Sequence, residues 1–173
     1  MYSNFARVYD SLMESVDRKA WLEYIISLFG DAKIERVADC ACGTGALSIP
    51  LAKRGYKVTG LDASEEMLRI AAENAEKNGF ALHTGVGDVI GDAALSARIG
   101  GDYDIIVANI VADVIMGMQD ILKSKLKREG TLIVSGIIAP RADEVQASLL
   151  GAGFVLDRRD QSGDWVAMTL HQA

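Results

Sequence analysis

The stretch Val37-Ala38-Asp39-Cys40-Ala41-Cys42-Gly43-Thr44-Gly45 decides how this chain is read. Ile34 to Ala41 reads as a buried strand, and it runs straight into a loop of small residues. Ala46 to Arg54 then reads as a helix ended by Gly55, and Tyr56 to Leu61 as a second buried strand. Strand, helix and strand at this spacing make one βαβ unit, the crossover that joins parallel strands. Gly43 and Gly45 tolerate unusual φ and carry no Cβ to obstruct a ligand, while amides at a helix start favour a negative group. A loop of this kind alone fits several nucleotide ligands.

Working outward, the same alternation continues. Ser64 reads as an N-cap with Glu65 and Glu66 in the first turn, and Asn78-Gly79 ends that helix. Phe80 to Gly85 fits a third strand, and Asp92 to Gly101 a short helix or loop. Tyr103 to Ala108 is a fourth strand, followed by a helix with Ile115, Met118, Leu122 and Leu126 as its inner stripe. Gly130 releases the chain into a strand over Thr131 to Val134. Pro140 opens a helix whose Val145, Leu149 and Leu150 face inward, and Gly151 and Gly153 end it before Phe154 to Asp157. The turn cluster Gln161-Ser162-Gly163-Asp164 leads into Trp165 to Leu170, so the sheet closes in an antiparallel hairpin. Before all of this, Tyr2, Phe5 and Tyr9, then Trp21, Leu22, Ile25 and Leu28, suggest two N-terminal helices closed by Gly30-Asp31. The expectation is one α/β domain over residues 1–173. Helices occupy 1–30, and a parallel sheet covered by helices on both faces occupies 34–173.

Bulk properties agree with one well-cored domain and exclude several classes. Half of the 173 residues are apolar, and 24 acidic against 18 basic side chains give a formal charge of -6. A chain this long buries roughly two-thirds of its unfolded surface and needs no disulfide or metal to fold. Cys40 and Cys42 stand too close on one strand to pair, which with the lack of a signal peptide suggests a reducing cytoplasm. With only His83 and His171 elsewhere, a closed zinc site is not expected. Asn109 and Asp113 interrupt the most apolar stretch, Ile105 to Met118, well short of the ~20 residues a membrane helix needs. The acidic balance argues against nucleic acid as a partner. Trp21 and Trp165 read as core or interface anchors, and Met116 with Met118 as helix packing.

Chemistry is expected where the strands end. Asp62 follows the second strand about twenty residues beyond the loop, where a carboxylate can accept from both hydroxyls of a ribose. Its bland alternative is a helix cap, although Ser64 already fills that place. Asp88 follows the third strand, so three successive strands place an acid (Asp39, Asp62, Asp88) at one sheet edge. Asn109 extends the row after the fourth strand: its carboxamide oxygen, together with the Ile110 carbonyl, can accept hydrogen bonds from an amine.

These residues resemble class I S-adenosylmethionine-dependent methyltransferases. Asp39 to Gly45 is similar to their first motif and Gly60-Leu61-Asp62-Ala63-Ser64 to their second. The first half of the chain resembles small-molecule-type members. Val107 to Asp113, Ser135-Gly136-Ile137 and Gly163 to Ala167 are similar to the ribosomal-protein methyltransferases that modify amino groups of a large-subunit stalk-base protein. The resemblance implies a Rossmann-like three-layer sandwich. Its seven-stranded sheet would be mostly parallel, with the Trp165 strand antiparallel beside the Phe154 strand.

It also implies S-adenosylmethionine as cofactor and S-adenosylhomocysteine as product. Asp39 and the loop residues Cys40, Ala41, Gly43 and Gly45 would hold the methionine end, Asp62 the ribose, Ala63 and Met67 the adenine face, and Asp88 with Val89 the adenine edge. Asn109, bordering the cofactor, would meet the reacting nitrogen together with Ile110, and Tyr9 would help exclude water. The acceptor would be an amine of a protein or small molecule. Two departures accompany the resemblance: Ala41 stands where the general motif has glycine, and only about thirty residues precede the first strand, too few for a substrate-recruiting domain of ordinary size. Rival readings are a cofactor-binding core without catalysis and a nicotinamide-dependent oxidoreductase, whose glycine spacing Ala41 breaks.

Overall fold

A computed structural model of the chain describes residues 17–88 and 91–173. The expected N-terminal residues Tyr2, Phe5 and Tyr9 and the adenine-edge residue Val89 lie outside them. The chain runs α1 (Arg18–Ser27), β1 (Arg36–Cys40), α2 (Ser48–Lys53), β2 (Lys57–Asp62), α3 (Glu65–Lys77), β3 (His83–Val86), α4 (Ala93–Arg98), β4 (Tyr103–Asn109), α5 (Ala112–Lys125) and β5 (Leu126–Ile138). A 3-10 turn (Ala139–Arg141), α6 (Ala142–Gly151), β6 (Phe154–Ser162) and β7 (Trp165–Gln172) complete it. Seven strands form one sheet in the order β3-β2-β1-β4-β5-β7-β6. β1 to β5 are parallel, and β7 enters antiparallel between β5 and β6, as expected for the Trp165 strand.

Both faces of the sheet are covered, which explains why β4 is buried from Tyr103 to Ala108 with no polar alternation. Val37, Ile105, Val107 and Ile133 pack under Leu22 and Ile25 of α1 and Leu51 of α2. Ala38, Ile106, Leu132 and Val134 face the other way, against Leu95 of α4, Ile115, Met118 and Leu122 of α5, and Val145 and Leu149 of α6. Tyr24 of α1 reaches across to β6, donating from its hydroxyl to Asp160 Oδ2 at 2.9 Å. Met118 is core and Met116 packs at its margin, as helix packing requires. No described helix is long and apolar enough to cross a membrane.

Several local expectations are corrected. Leu126 is not in the α5 stripe: it is the first residue of β5, with extended backbone. The stop comes from across the molecule, because the Gln172 side-chain amide donates to the carbonyls of Lys123 (2.9 Å) and Leu126 (2.8 Å). Gly130 therefore does not release the chain into a strand; it lies inside one. A Cβ there would stand 2.9 Å from the Tyr103 carbonyl oxygen and 3.0 Å from that of Asp104, where the β4–β5 register shifts. β3 is shorter than expected, beginning at His83. Leu150 is exposed rather than inward, and Trp165 is 58 % exposed, so it is no core anchor. Gln161 and Ser162 are strand residues, and the hairpin turn is Gly163-Asp164 alone.

Candidate functional site

The sheet reverses its winding between β1 and β4, since the chain passes from β1 out to β2 and β3 before crossing back. The crevice beyond the carboxyl ends of these strands is where open parallel sheets take their ligands. Register fixes what meets there. Cys40 pairs with both Leu61 and Ala108, Ala108 with Val134, and Asn109 with Ser135. One residue further on, Ala41, Asp62, Asn109 and Ser135 therefore stand at one level.

The loop after β1 turns on three left-handed residues at alternate positions, Ala41 (φ +62°), Gly43 (φ +55°) and Gly45 (φ +85°). Neighbouring elements hold it in place. The Cys42 amide donates to the Leu61 carbonyl at 2.9 Å, and Asn74 of α3 donates to the Thr44 carbonyl at 3.2 Å. Asp62 is the central latch, accepting from the Gly43 amide through Oδ2 and from the Ser64 amide through Oδ1, each at 2.9 Å. It is not the cap of α3. That place belongs to Ser64, whose hydroxyl accepts from the Met67 amide at 3.3 Å. An ionised carboxylate offers about four lone pairs. Two are used here, so each oxygen keeps one for a ligand hydroxyl.

The three acids do not form a flush row. Asp39 pairs with Gly60, two residues before Asp62, and is only 3 % exposed. Its Oδ2 accepts from Ser48 Oγ of α2 at 2.6 Å. Burial pushes its carboxyl up to about 7, the Ser48 hydrogen bond opposes that rise, and the nearby Asp62 carboxylate adds to it. Asp88 is exposed two residues past β3, on a turn that hangs from β2 through the Gly87 amide and Asp62 carbonyl (3.2 Å). Ala63 is exposed, and Met67 in the first turn of α3 is half-buried. Cys40 and Cys42 are buried free thiols, both pushed up first by burial, Cys40 to about 12.

Asn109 ends β4 with its side chain at the surface, and its Oδ1 accepts from Ser135 Oγ at 3.2 Å. The Ile110 amide donates to the Ser135 carbonyl at 3.1 Å. Gly136, at φ +75°, packs beneath both residues: a Cβ there would lie 2.8 Å from Asn109 Oδ1 and 3.1 Å from the Ile110 nitrogen. Sequence reasoning gave no role to Ser48, Asn74, Ser135 or Gly136. Only Ser135-Gly136 carried a visible signal, as part of the Ser135-Gly136-Ile137 stretch that resembles the ribosomal-protein methyltransferases, and the structure places both inside β5.

The comparisons with known proteins converge on one family. The family model for ribosomal protein L11 methyltransferase (PrmA) matches residues 20–173, running through both halves of the chain. The chain belongs to this family. A ribosomal protein L11 methyltransferase of Agathobacter rectalis is 36 % identical over 145 residues, covering 81 % of this chain and 45 % of the relative. That of Acetivibrio thermocellus is 39 % identical over 136 residues, 78 % of this chain and 42 % of the relative. The chain thus spans less than half the length of these family members. Among solved structures, a ribosomal protein L11 methylase of Lactobacillus delbrueckii superposes with a TM-score of 0.73 at 29 % identity, covering 85 % of this chain and 76 % of that one. An S-adenosylmethionine-dependent methyltransferase of Clostridium acetobutylicum shares the fold, with a TM-score of 0.81 over 99 % of both chains at 15 % identity.

Ala41 is the loop's one strained residue, because a Cβ at left-handed φ costs about 1–2 kcal/mol. Glycine's extra unfolded-state entropy returns about 0.4–1 kcal/mol of that. Ala41→Gly is therefore expected to stabilise the protein by about 0.5–1 kcal/mol, read from the denaturant midpoint. A loss of stability would show that the Ala41 methyl contributes packing that outweighs its strain.

Proposed function

We propose that this chain binds S-adenosylmethionine and transfers its methyl group to an amine nitrogen of a protein acceptor of the ribosomal protein L11 type. The observation that carries the reading is the common level of the glycine loop, Asp62 and Asn109-Ile110 at the switch point, in a chain of this family. The residues fit the cofactor: Asp62 keeps a free lone pair on each oxygen, and Asp39 is a buried carboxyl with no cation beside it among the described residues.

In this reading Asp39, Cys40, Ala41, Gly43 and Gly45 hold the methionine end and Asp62 the ribose. Ala63, Met67 and Asp88 border the adenine, with Val89 completing that edge. The bound cofactor supplies an electrophilic methyl on a sulfonium and leaves as a neutral thioether, so no metal or nucleophilic side chain is required. The protein's task is position. Asn109 and the Ile110 carbonyl take hydrogen bonds from a neutral amine and aim its lone pair, and alignment of this kind supplies several kcal/mol of barrier reduction. Residues 1–173 form the proposed catalytic unit, and Asn109 borders cofactor and acceptor alike.

Calorimetry with S-adenosylmethionine, S-adenosylhomocysteine and a nicotinamide dinucleotide tests the cofactor. Comparable or tighter dinucleotide binding refutes the assignment. A labelled-methyl assay on ribosomal protein L11, small amines and unrelated basic proteins tests the acceptor, and preferential labelling of small amines refutes a protein substrate. Asp62→Ala is expected to weaken cofactor binding by about 1–3 kcal/mol, roughly 5- to 150-fold in Kd, since charge-assisted hydrogen bonds to ribose and the Gly43 latch are lost together. Unchanged affinity would reduce Asp62 to a loop fastener.

A further inference from the structure

Asp39 is an anomaly as a structural residue. It is a carboxyl buried in the sheet whose hydrogen bonding comes from one residue, Ser48 of α2, through the Oγ hydroxyl at 2.6 Å and through the backbone amide. Such a group is costly to ionise unless a cation joins it. The elements packed around it supply none. β2 brings Gly60 in register and then Asp62, a like charge; β4 brings the apolar Val107; α2 brings the neutral Ser48; and the adjacent thiols Cys40 and Cys42 stay protonated. Among the described residues Asp39 has no ion pair.

We propose that Asp39 is a proton-linked sensor of cofactor charge, holding a proton while the site is empty and releasing it when a cationic ligand binds, so that the sulfonium cofactor is favoured over its neutral thioether product. This rests on the cofactor reading above and adds a determinant of specificity to it. The methionine end of S-adenosylmethionine carries an ammonium and a sulfonium, whereas S-adenosylhomocysteine carries the ammonium alone. The ionised carboxyl gains more from the first than from the second. Loss of the sulfonium charge on methyl transfer then lets the proton return and loosens the product. A carboxyl that titrates at about 7 is poised for this exchange at neutral pH.

The same linkage acts on the empty protein. Asp39 is raised above its ordinary value of 3.8, so the folded state holds the proton more tightly than the unfolded chain. The stability this contributes is complete below about 4 and is lost as pH rises through about 7.

The test is isothermal calorimetry between pH 6 and pH 8, in buffers of different ionisation enthalpy, on the wild-type chain, Asp39→Asn and Ser48→Ala. S-adenosylmethionine is expected to bind the wild type about tenfold more tightly at pH 8 than at pH 6, with about half a proton released at pH 7 beyond that released by Asp39→Asn. The comparison cancels titration of the cofactor's own amine. Asp39→Asn should also narrow the preference for S-adenosylmethionine over S-adenosylhomocysteine several-fold. Ser48→Ala keeps the carboxyl and the backbone amide beside it but removes the hydroxyl bond, the stronger of the two that favour the ionised form, so its binding transition should move to higher pH. Thermal melts without cofactor should show the wild type losing stability from pH 5 to pH 8 more steeply than Asp39→Asn. Cofactor binding with the same pH profile and proton count in wild type and Asp39→Asn overturns the proposal and leaves the cofactor reading intact. No binding at any pH overturns both.

Discussion

Asn109→Ala is expected to slow methyl transfer about 100-fold while leaving the Kd for S-adenosylmethionine within about twofold, the signature of a contact made to the acceptor rather than to the cofactor. The residue is held at both ends. Its backbone closes β4 opposite Ser135, and its side-chain oxygen accepts from Ser135 Oγ at 3.2 Å. A carboxamide fixed in this way can aim an amine's lone pair, and misplacement by about 1 Å is enough to cost a factor of about 100. Single-turnover rates and calorimetry, run on the same preparation, separate the two effects. Ser135→Ala should give a smaller loss of rate, because it frees the amide without deleting it. Equal losses in rate and cofactor affinity would make Asn109 a cofactor residue, and full activity would remove it from the mechanism.

How much of this could be read beforehand divides along a physical line. Features specified by neighbours in sequence were legible. The Ser64 cap with Glu65 and Glu66 and the Asn78-Gly79 stop depend on contacts within a few positions, and the loop of small residues showed in its glycines although Leu61, Asp62 and Asn74 hold it. The antiparallel hairpin was legible for the same reason, and the insertion of the Trp165 strand β7 beside the Phe154 strand β6 came from family likeness rather than periodicity. Features specified across the fold were not. The end of α5 at Lys125 is fastened by Gln172 from the far end of the chain, and locally only Lys123 and Lys125 in the last turn mark it. Gly130 looked like a stop because nothing in the sequence reveals the Tyr103 and Asp104 carbonyls that crowd it. Trp165 read as a core or interface anchor by size, yet its side chain is exposed where β7 leaves the Gly163-Asp164 turn, although its backbone pairs with both β5 and β6.

The candidate site shows the same division. Asp62 and Asn109 could be found because they close strands, and strand ends are where such sheets carry function. That Asp39 sits two residues deeper than Asp62 required the β1–β2 register. Composition gives only the sum of charges, so it cannot distinguish an acid facing water from one facing Ser48.

Gly136→Ala is expected to destabilise the protein by about 2–4 kcal/mol and to lower transfer activity in whatever fraction remains folded. Two costs add. The residue sits at φ +75°, where a Cβ costs about 1–2 kcal/mol. That Cβ would also stand 2.8 Å from Asn109 Oδ1, 3.1 Å from the Ile110 nitrogen and 3.2 Å from the Ile110 oxygen, and overpacking at such a contact costs about 1–3 kcal/mol. The smaller unfolded-state entropy of alanine offsets about 0.4–1 kcal/mol. Relief can come only by moving the Asn109-Ile110 segment, since two of the three atoms are backbone, and that segment is the proposed amine-orienting pair. Gly163→Ala provides the control. It has a similar φ of +58° in the β6–β7 turn but open space around its Cβ, so it should cost about 1 kcal/mol and leave activity unchanged. Urea denaturation of both variants measures the difference. If Gly136→Ala costs no more than Gly163→Ala and transfers methyl groups normally, the close packing beneath Asn109 does not constrain the site.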